Sequence, residues 1–155
     1  MCLNANYSKE DLPTQNETNE IKIRFDFLEV TDVSDEMHSF SISSNLGLQW
    51  HEPRLSYNGT DSRVIFPKDF GDMFWKPDLY FWNAKTYEAN KFVDGGSISG
   101  FGYQDSNPNI GYGLFFQAEI KCKMRFDKYP FDQHVCYLEL SSYQYFFEQL
   151  FLNVT

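Results

Sequence analysis

Apolar residues return at every second position along much of this chain. Ile21, Ile23, Phe25 and Phe27 alternate with Lys22, Arg24 and Asp26. A period of two predicts a half-buried strand. Thr31 to Met37 is acidic and turn-like. Alternation resumes at Phe40, Ile42, Leu46, Leu48 and Trp50, so the two segments read as a hairpin. A short strand is expected at Val64–Phe66, and Leu79 to Trp82 is another apolar, strand-like run. Pro67 to Phe74 is expected to form one helical turn, because proline suits a first helical position. Gly95 to Asn109 is rich in Gly, Ser and Asn and suggests turns around a short strand. In the clearest strand, Phe116, Ala118, Ile120, Cys122, Met124 and Phe126 hold one parity, and Gln117, Glu119, Lys121, Lys123 and Arg125 the other. Val135–Leu140 and Leu150–Val154 predict two more strands. No segment keeps a helical period. Short strands at this spacing predict an all-β, antiparallel, immunoglobulin-like sandwich or a barrel. The polar, aperiodic stretch 1–19 reads as a flexible arm before a domain spanning 20–155.

Composition sharpens this picture. The 155 residues fit a single domain. Aromatics make up 19% of them, which favours sheets, where flat rings fit a pleated, half-buried surface. The net charge is −9. An acidic surface repels phosphate backbones, so no nucleic-acid partner is expected. The same charge draws cations weakly.

Cysteines and sequons suggest a compartment. Cys122 and Cys136 lie close together and Cys2 is alone, which suggests one disulfide and a spare thiol. Thirteen residues (136 − 122 − 1) lie between the paired cysteines; by spacing alone this is an ordinary hairpin staple. Glycosylation sequons occur at Asn6, Asn16, Asn58 and Asn153, favouring a secretory route. Against that, Met1–Asn4 shows no leader. No apolar run approaches the roughly 20 residues of a spanning helix, so missing ends are expected.

Candidate chemistry is sparse. His38, His51 and His134 are scattered without metal-ligand spacing. No phosphate-binding loop or nucleophile elbow occurs. Asp35–Glu36 and Asp69–Asp72 read as solvated turns. Neither catalysis nor a metal or other cofactor is expected.

Between the cysteines stand Phe126, Tyr129, Pro130, Phe131 and Asp132. Their apolar tip calls for a partner surface, and the Tyr129–Pro130 bond is a candidate cis peptide. Aromatic, Pro, apolar residue and Asp inside paired cysteines resemble the signature of the Cys-loop receptors, the pentameric neurotransmitter-gated channels. Trp75-Lys76-Pro77-Asp78, with Tyr80, Trp82 and Asn83 beyond it, resembles that family's loop A segment. Trp50 to Leu55 resembles the end of its second strand, with Glu52 where Asp is usual. Ser142-Tyr143-Gln144-Tyr145 resembles loop B. The resemblance runs from about Ile21 to Thr155.

The resemblance implies an extracellular β-sandwich, partial at its C-terminal end, on the outer side of the plasma membrane. It implies a small neurotransmitter-like ligand held between neighbouring subunits of a homo- or hetero-pentamer. It also implies attachment to the membrane through helices that do not appear in this sequence. Carried over, Tyr129, Pro130, Phe131 and Asp132, with Asp32, Asp35 and Glu36 of the first hairpin, are coupling candidates. Tyr143, Tyr145, Tyr80 and Trp82 are ligand candidates, since an aromatic face holds an amine by about 0.5–2 kcal/mol. Trp50, Arg54, Trp75, Pro77, Asp78 and Asn83 read as structural. Where members gated by amino-acid transmitters often carry an aromatic and an Arg, this chain has Asn45 and Gly47, and Phe115 stands at a polar or basic position. A transmitter carboxylate would lose its fixed guanidinium there. The rival expectation is a secreted sandwich that stacks sugars on a flat aromatic platform.

Overall fold

A computed structural model describes residues 2–3, 6–56, 63–66, 72–101 and 106–155. The Asn58 sequon and most of the expected turn at Pro67–Phe74 lie outside the described residues. The described residues form strands and turns without a helix. The strands are β1 (Cys2–Leu3), β2 (Asn19–Ser34), β3 (Ser39–His51), β4 (Leu55–Ser56), β5 (Arg63–Phe66), β6 (Leu79–Phe81), β7 (Ala84–Phe101), β8 (Ser106–Lys121), β9 (Leu140–Ser142) and β10 (Leu150–Val154).

One sheet runs β10-β2-β3-β8-β7-β5, while β6 pairs with β9 and β1 with β4. The expected hairpin exists: β2 and β3 are antiparallel, with Ile21 opposite Trp50 and Ile23 opposite Leu48. A register shift between Phe25 and Phe27 marks a bulge at Asp26. The bulge breaks the parity that the sequence pattern carried through Phe27. On β3 and β8 the pattern holds. Ile42, Leu46, Leu48, Trp50, Phe116, Ala118 and Ile120 are all buried.

The β6–β9 pair covers this sheet. Phe81 of β6 stacks on Phe116 of β8 at 4.8 Å. Trp75, on the segment entering β6, meets Trp50 edge-on at 5.8 Å. Two layers thus enclose one apolar core, the arrangement a sandwich requires. Burying each of these large side chains contributes about 1.5–3 kcal/mol.

Four expectations need correction. The sheets are mixed, because β10 runs parallel to β2; strand direction depends on the long connection before it, which alternation does not encode. The acidic turn is shorter than Thr31–Met37: β2 continues to Ser34, so only 35–38 turns. Gly95–Asn109 lies largely within the long β7–β8 ladder. Finally, β8 stops at Lys121 and β9 starts at Leu140, so neither 122–126 nor 135–139 lies in a ladder. Cys122 and Met124 nevertheless stay buried while Lys123 and Arg125 are exposed. The alternation therefore reported packing, not pairing.

The polar stretch before β2 lies against the sandwich. Its Tyr7 hydroxyl accepts the Trp75 N–H at 2.8 Å. Buried Asn19 takes the Thr14 N–H at 3.0 Å and donates to the carbonyls of Thr14 and Gln149 at 2.8 and 3.1 Å.

Candidate functional site

The β6–β9 pair positions an exposed aromatic cluster. Tyr80 sits opposite Ser141 in the ladder, and the chain then turns at Trp82, whose N–H donates to the Glu139 carbonyl at 2.8 Å. Tyr80 packs against Trp82 at 5.4 Å and 60°, and against Tyr143 at 5.9 Å and 75°. Trp82 and Tyr143 are 68% and 80% exposed. Rings this large rarely stay open to water without a use.

Asp78 holds Tyr143 in place. One of its carboxylate oxygens accepts the Tyr143 and Gln144 N–H groups at 3.1 and 2.6 Å, and the other accepts the Ser142 hydroxyl at 2.6 Å. The turn 142–145 is therefore built on a carboxylate from the segment preceding β6. Asn83 plays the matching part at the far end of β6. Its amide donates to the Tyr137 carbonyl at 2.8 Å, and its oxygen accepts the Glu139 N–H at 3.2 Å. Pro77, immediately before Asp78, is buried.

Tyr145 faces elsewhere. It is half-buried, packs against Trp75 at 6.3 Å, and lies with its hydroxyl 3.5 Å from the Trp75 indole nitrogen. It buttresses the turn from the core side. Trp50 and Trp75 are buried, Trp50 on the parity of its strand.

Arg54 ties the chain after β3 to the stretch before β2. It makes a two-pronged bond to fully buried Glu52 at 2.7 and 2.8 Å and donates to the Ser8 and Asp11 carbonyls, both at 2.9 Å. It also lies 4.5 Å above the Tyr7 ring. Burial works against its charge, but the Glu52 bonds more than offset that, and its pKa is raised. Burial likewise pushes the Tyr7 phenol up.

The two groups of coupling candidates meet at the opposite end of β3 from Trp50. Cys122 and Cys136 are disulfide-bonded. The loop tip is open: Tyr129 and Phe131 are 75% and 87% exposed, and the Tyr129–Pro130 peptide is cis. Behind the tip, the His134 Nε2 pairs with the Asp132 carboxylate at 2.5 Å. The loop touches the β2–β3 hairpin through the Cys122 N–H, which donates to the His38 carbonyl at 2.8 Å. The Phe126 ring packs against both His38 and His134, at 5.8 and 5.3 Å. Asp35 and Glu36 are exposed in the hairpin turn, and Asp32 is exposed within β2.

The hairpin turn is tied to β7 and β8 as well. Lys85 donates to the Met37 carbonyl at 2.8 Å and to Glu119 at 3.1 Å. Glu119 also accepts the Ser39 hydroxyl at 2.6 Å. These two donors, the hydroxyl above all, hold its carboxyl below the usual value.

On the sheet face away from β6–β9, Asn45 of β3 lies opposite Phe115 of β8, and Gly47 lies opposite Gly113 and Arg24. A side chain at Gly47 would meet only ordinary contacts, the nearest at 3.6 Å. Its absence leaves that surface bare. Among the sequons, Asn6 and Asn16 are exposed, whereas Asn153 is half-buried in β10 with its amide donating to Glu20 at 2.7 Å.

Sequence reasoning missed Asn19, Tyr7, Lys85 and Glu119. Only Asn19 carried a signal, as a helix- and strand-averse residue placed just before an apolar alternation.

A family profile described as the neurotransmitter-gated ion-channel ligand binding domain matches residues 2–155. The chain belongs to this family. Ligand-binding domains of this family are extracellular parts of membrane channels that assemble with other subunits, and the family is not an enzyme class.

Proposed function

We propose that this ligand-binding domain recognises an amine-bearing agonist at a subunit interface and couples its capture to channel gating. The observation that carries this reading is the Tyr80–Trp82–Tyr143 cluster. Three rings set at 60° and 75° to one another form an exposed cluster, and clustered ring faces suit a compact ammonium group. The same angles argue against a sugar platform, which needs one flat face.

The surface formed by Asn45, Gly47 and Phe115 carries no guanidinium of its own, and that of Arg24, opposite Gly47, is already paired with Asp26, so neither offers a free two-pronged clamp for a carboxylate. The ligand class that fits is therefore an amine rather than an amino acid. The domain supplies the aromatic side of the site, and a neighbouring subunit of the pentamer supplies the other.

Tyr129, Pro130 and Phe131 form the apolar contact toward the membrane part of the channel, on the outer side of the plasma membrane. Asp132 fastens the loop through His134. Contact between Phe126 and His38 lets the hairpin and the cysteine loop move together.

A chimera joining this domain to the membrane helices of a related subunit tests the reading. Quaternary ammonium agonists should evoke currents. Y143A should shift the dose–response to higher concentration, whereas F131A should abolish current while binding persists. Equal loss of binding in both variants would sink the division of roles.

A further inference from the structure

A polar groove of about 260 Å³ lies near the β2–β3 edge, remote from the aromatic cluster. Its walls include Glu20 and Lys22 of β2, Gln49 and His51 of β3, and Asn109 of β8. The strand residues Glu20, Lys22, Gln49 and His51 stand on the parity opposite buried Ile21 and Ile23, so the groove opens on the outer face of the sheet, while buried Asn19 and Trp50 also line it. Thr14, Glu17 and Thr18 form its rim.

That rim surrounds the sequon Asn16-Glu17-Thr18. Asn16 itself is exposed. Its loop is fixed from below by Asn19 and from the side by the Thr18 hydroxyl, which donates to the Glu148 carbonyl at 2.7 Å. A group attached to Asn16 therefore starts from a set position beside the groove. Mixed acceptors (Glu17, Glu20) and donors (Lys22, Gln49) suit a ring with hydroxyl and amide groups rather than an ion of one sign.

We propose that Asn16 carries an N-linked glycan whose first N-acetylhexosamine rests in this groove. The amide nitrogen of Asn16 bonds to the anomeric carbon of a lipid-pyrophosphate-linked oligosaccharide. The carbon–oxygen bond to pyrophosphate breaks, the lipid pyrophosphate leaves, and the amide gives up one proton. Once seated, the sugar braces the start of β2 against β3. The sequon at Asn153, paired with Lys22 in the β10–β2 ladder, competes for this place, but its amide is already committed to Glu20. This inference stands or falls separately from agonist recognition.

The test uses the chain secreted from cultured animal cells. Intact glycopeptide mass spectrometry should find Asn16 occupied. Hydrogen exchange at residues 17–22 and 49–51 should be about threefold slower than in N16Q, because the seated sugar suppresses local opening. Enzymatic removal of the glycan from the folded wild type should reproduce the faster exchange, which covers the case of N16Q failing to fold. An unmodified Asn16 overturns the proposal, as does an occupied Asn16 whose glycan leaves exchange unchanged.

Discussion

Replacing Asp78 with alanine removes its three side-chain bonds to the Tyr143 turn, two from the backbone N–H groups of Tyr143 and Gln144 and one from the Ser142 hydroxyl, and leaves the longer bond from the Tyr143 N–H to the Asp78 carbonyl and that from the Tyr145 N–H to Ser142. A hydrogen bond to a charged acceptor contributes about 1.5–3 kcal/mol, and a neutral one about 1. Tyr143 and Gln144 are exposed, so water replaces much of what their N–H groups lose. The half-buried Ser142 hydroxyl recovers less. Together these give an expected loss of about 2–4 kcal/mol. D78N should lose less, because its amide oxygen can still accept both N–H groups while its NH2 donates to the Ser142 hydroxyl oxygen, the charge alone being lost. S142A should cost about 1 kcal/mol. Urea unfolding followed by tryptophan fluorescence measures each variant. D78A should also weaken binding of a quaternary ammonium probe, since Tyr143 loses its fixed position. A D78A loss below about 0.5 kcal/mol, with unchanged affinity, would refute the claim that this carboxylate builds the site.

R54A leaves the fully buried Glu52 carboxylate unpaired and should cost about 3–5 kcal/mol in urea unfolding, with E52L/R54M recovering much of it. Glu119 has a folded pKa lowered from 4.5, so its stabilisation is complete above that ordinary value and disappears as pH falls through the lower folded one. E119Q should accordingly flatten the acid limb of the urea midpoint against pH. C122S/C136S should lower stability by about 3 kcal/mol, because a loop of this length no longer restrains the unfolded chain. Limited proteolysis should then cut within 126–131.

Legibility in the sequence followed the range of the interactions. The β2–β3 hairpin and the buried parity of β8 were readable because each depends on neighbours in the chain. The bulge at Asp26 was not, since an extra residue in a ladder shows only against its partner strand. The parallel seat of β10 depends on where the chain re-enters the sheet, a non-local choice. Residues 122–126 alternate between burial and exposure without a partner strand, so the pattern overstated β8. At the site, motif resemblance located Asp78 and Tyr143 but not the bonds between them. The same four-residue segment holds one tyrosine in water and another, Tyr145, against Trp75, and only the packing of Trp75 separates the two. Glu119 was invisible as an anchor because its partners, Ser39 and Lys85, lie on other strands.

Amine recognition by the aromatic cluster is tested most directly by fluorine NMR of protein labelled with 5-fluorotryptophan, titrated with tetramethylammonium. The exposed Trp82 resonance should move with saturable dependence while those of buried Trp50 and Trp75 stay. Y143A should weaken that titration by about tenfold, or about 1.4 kcal/mol, and Y143F should leave it nearly intact. A Trp82 signal that never moves, or one that titrates identically in Y143A, would contradict amine recognition by these three rings.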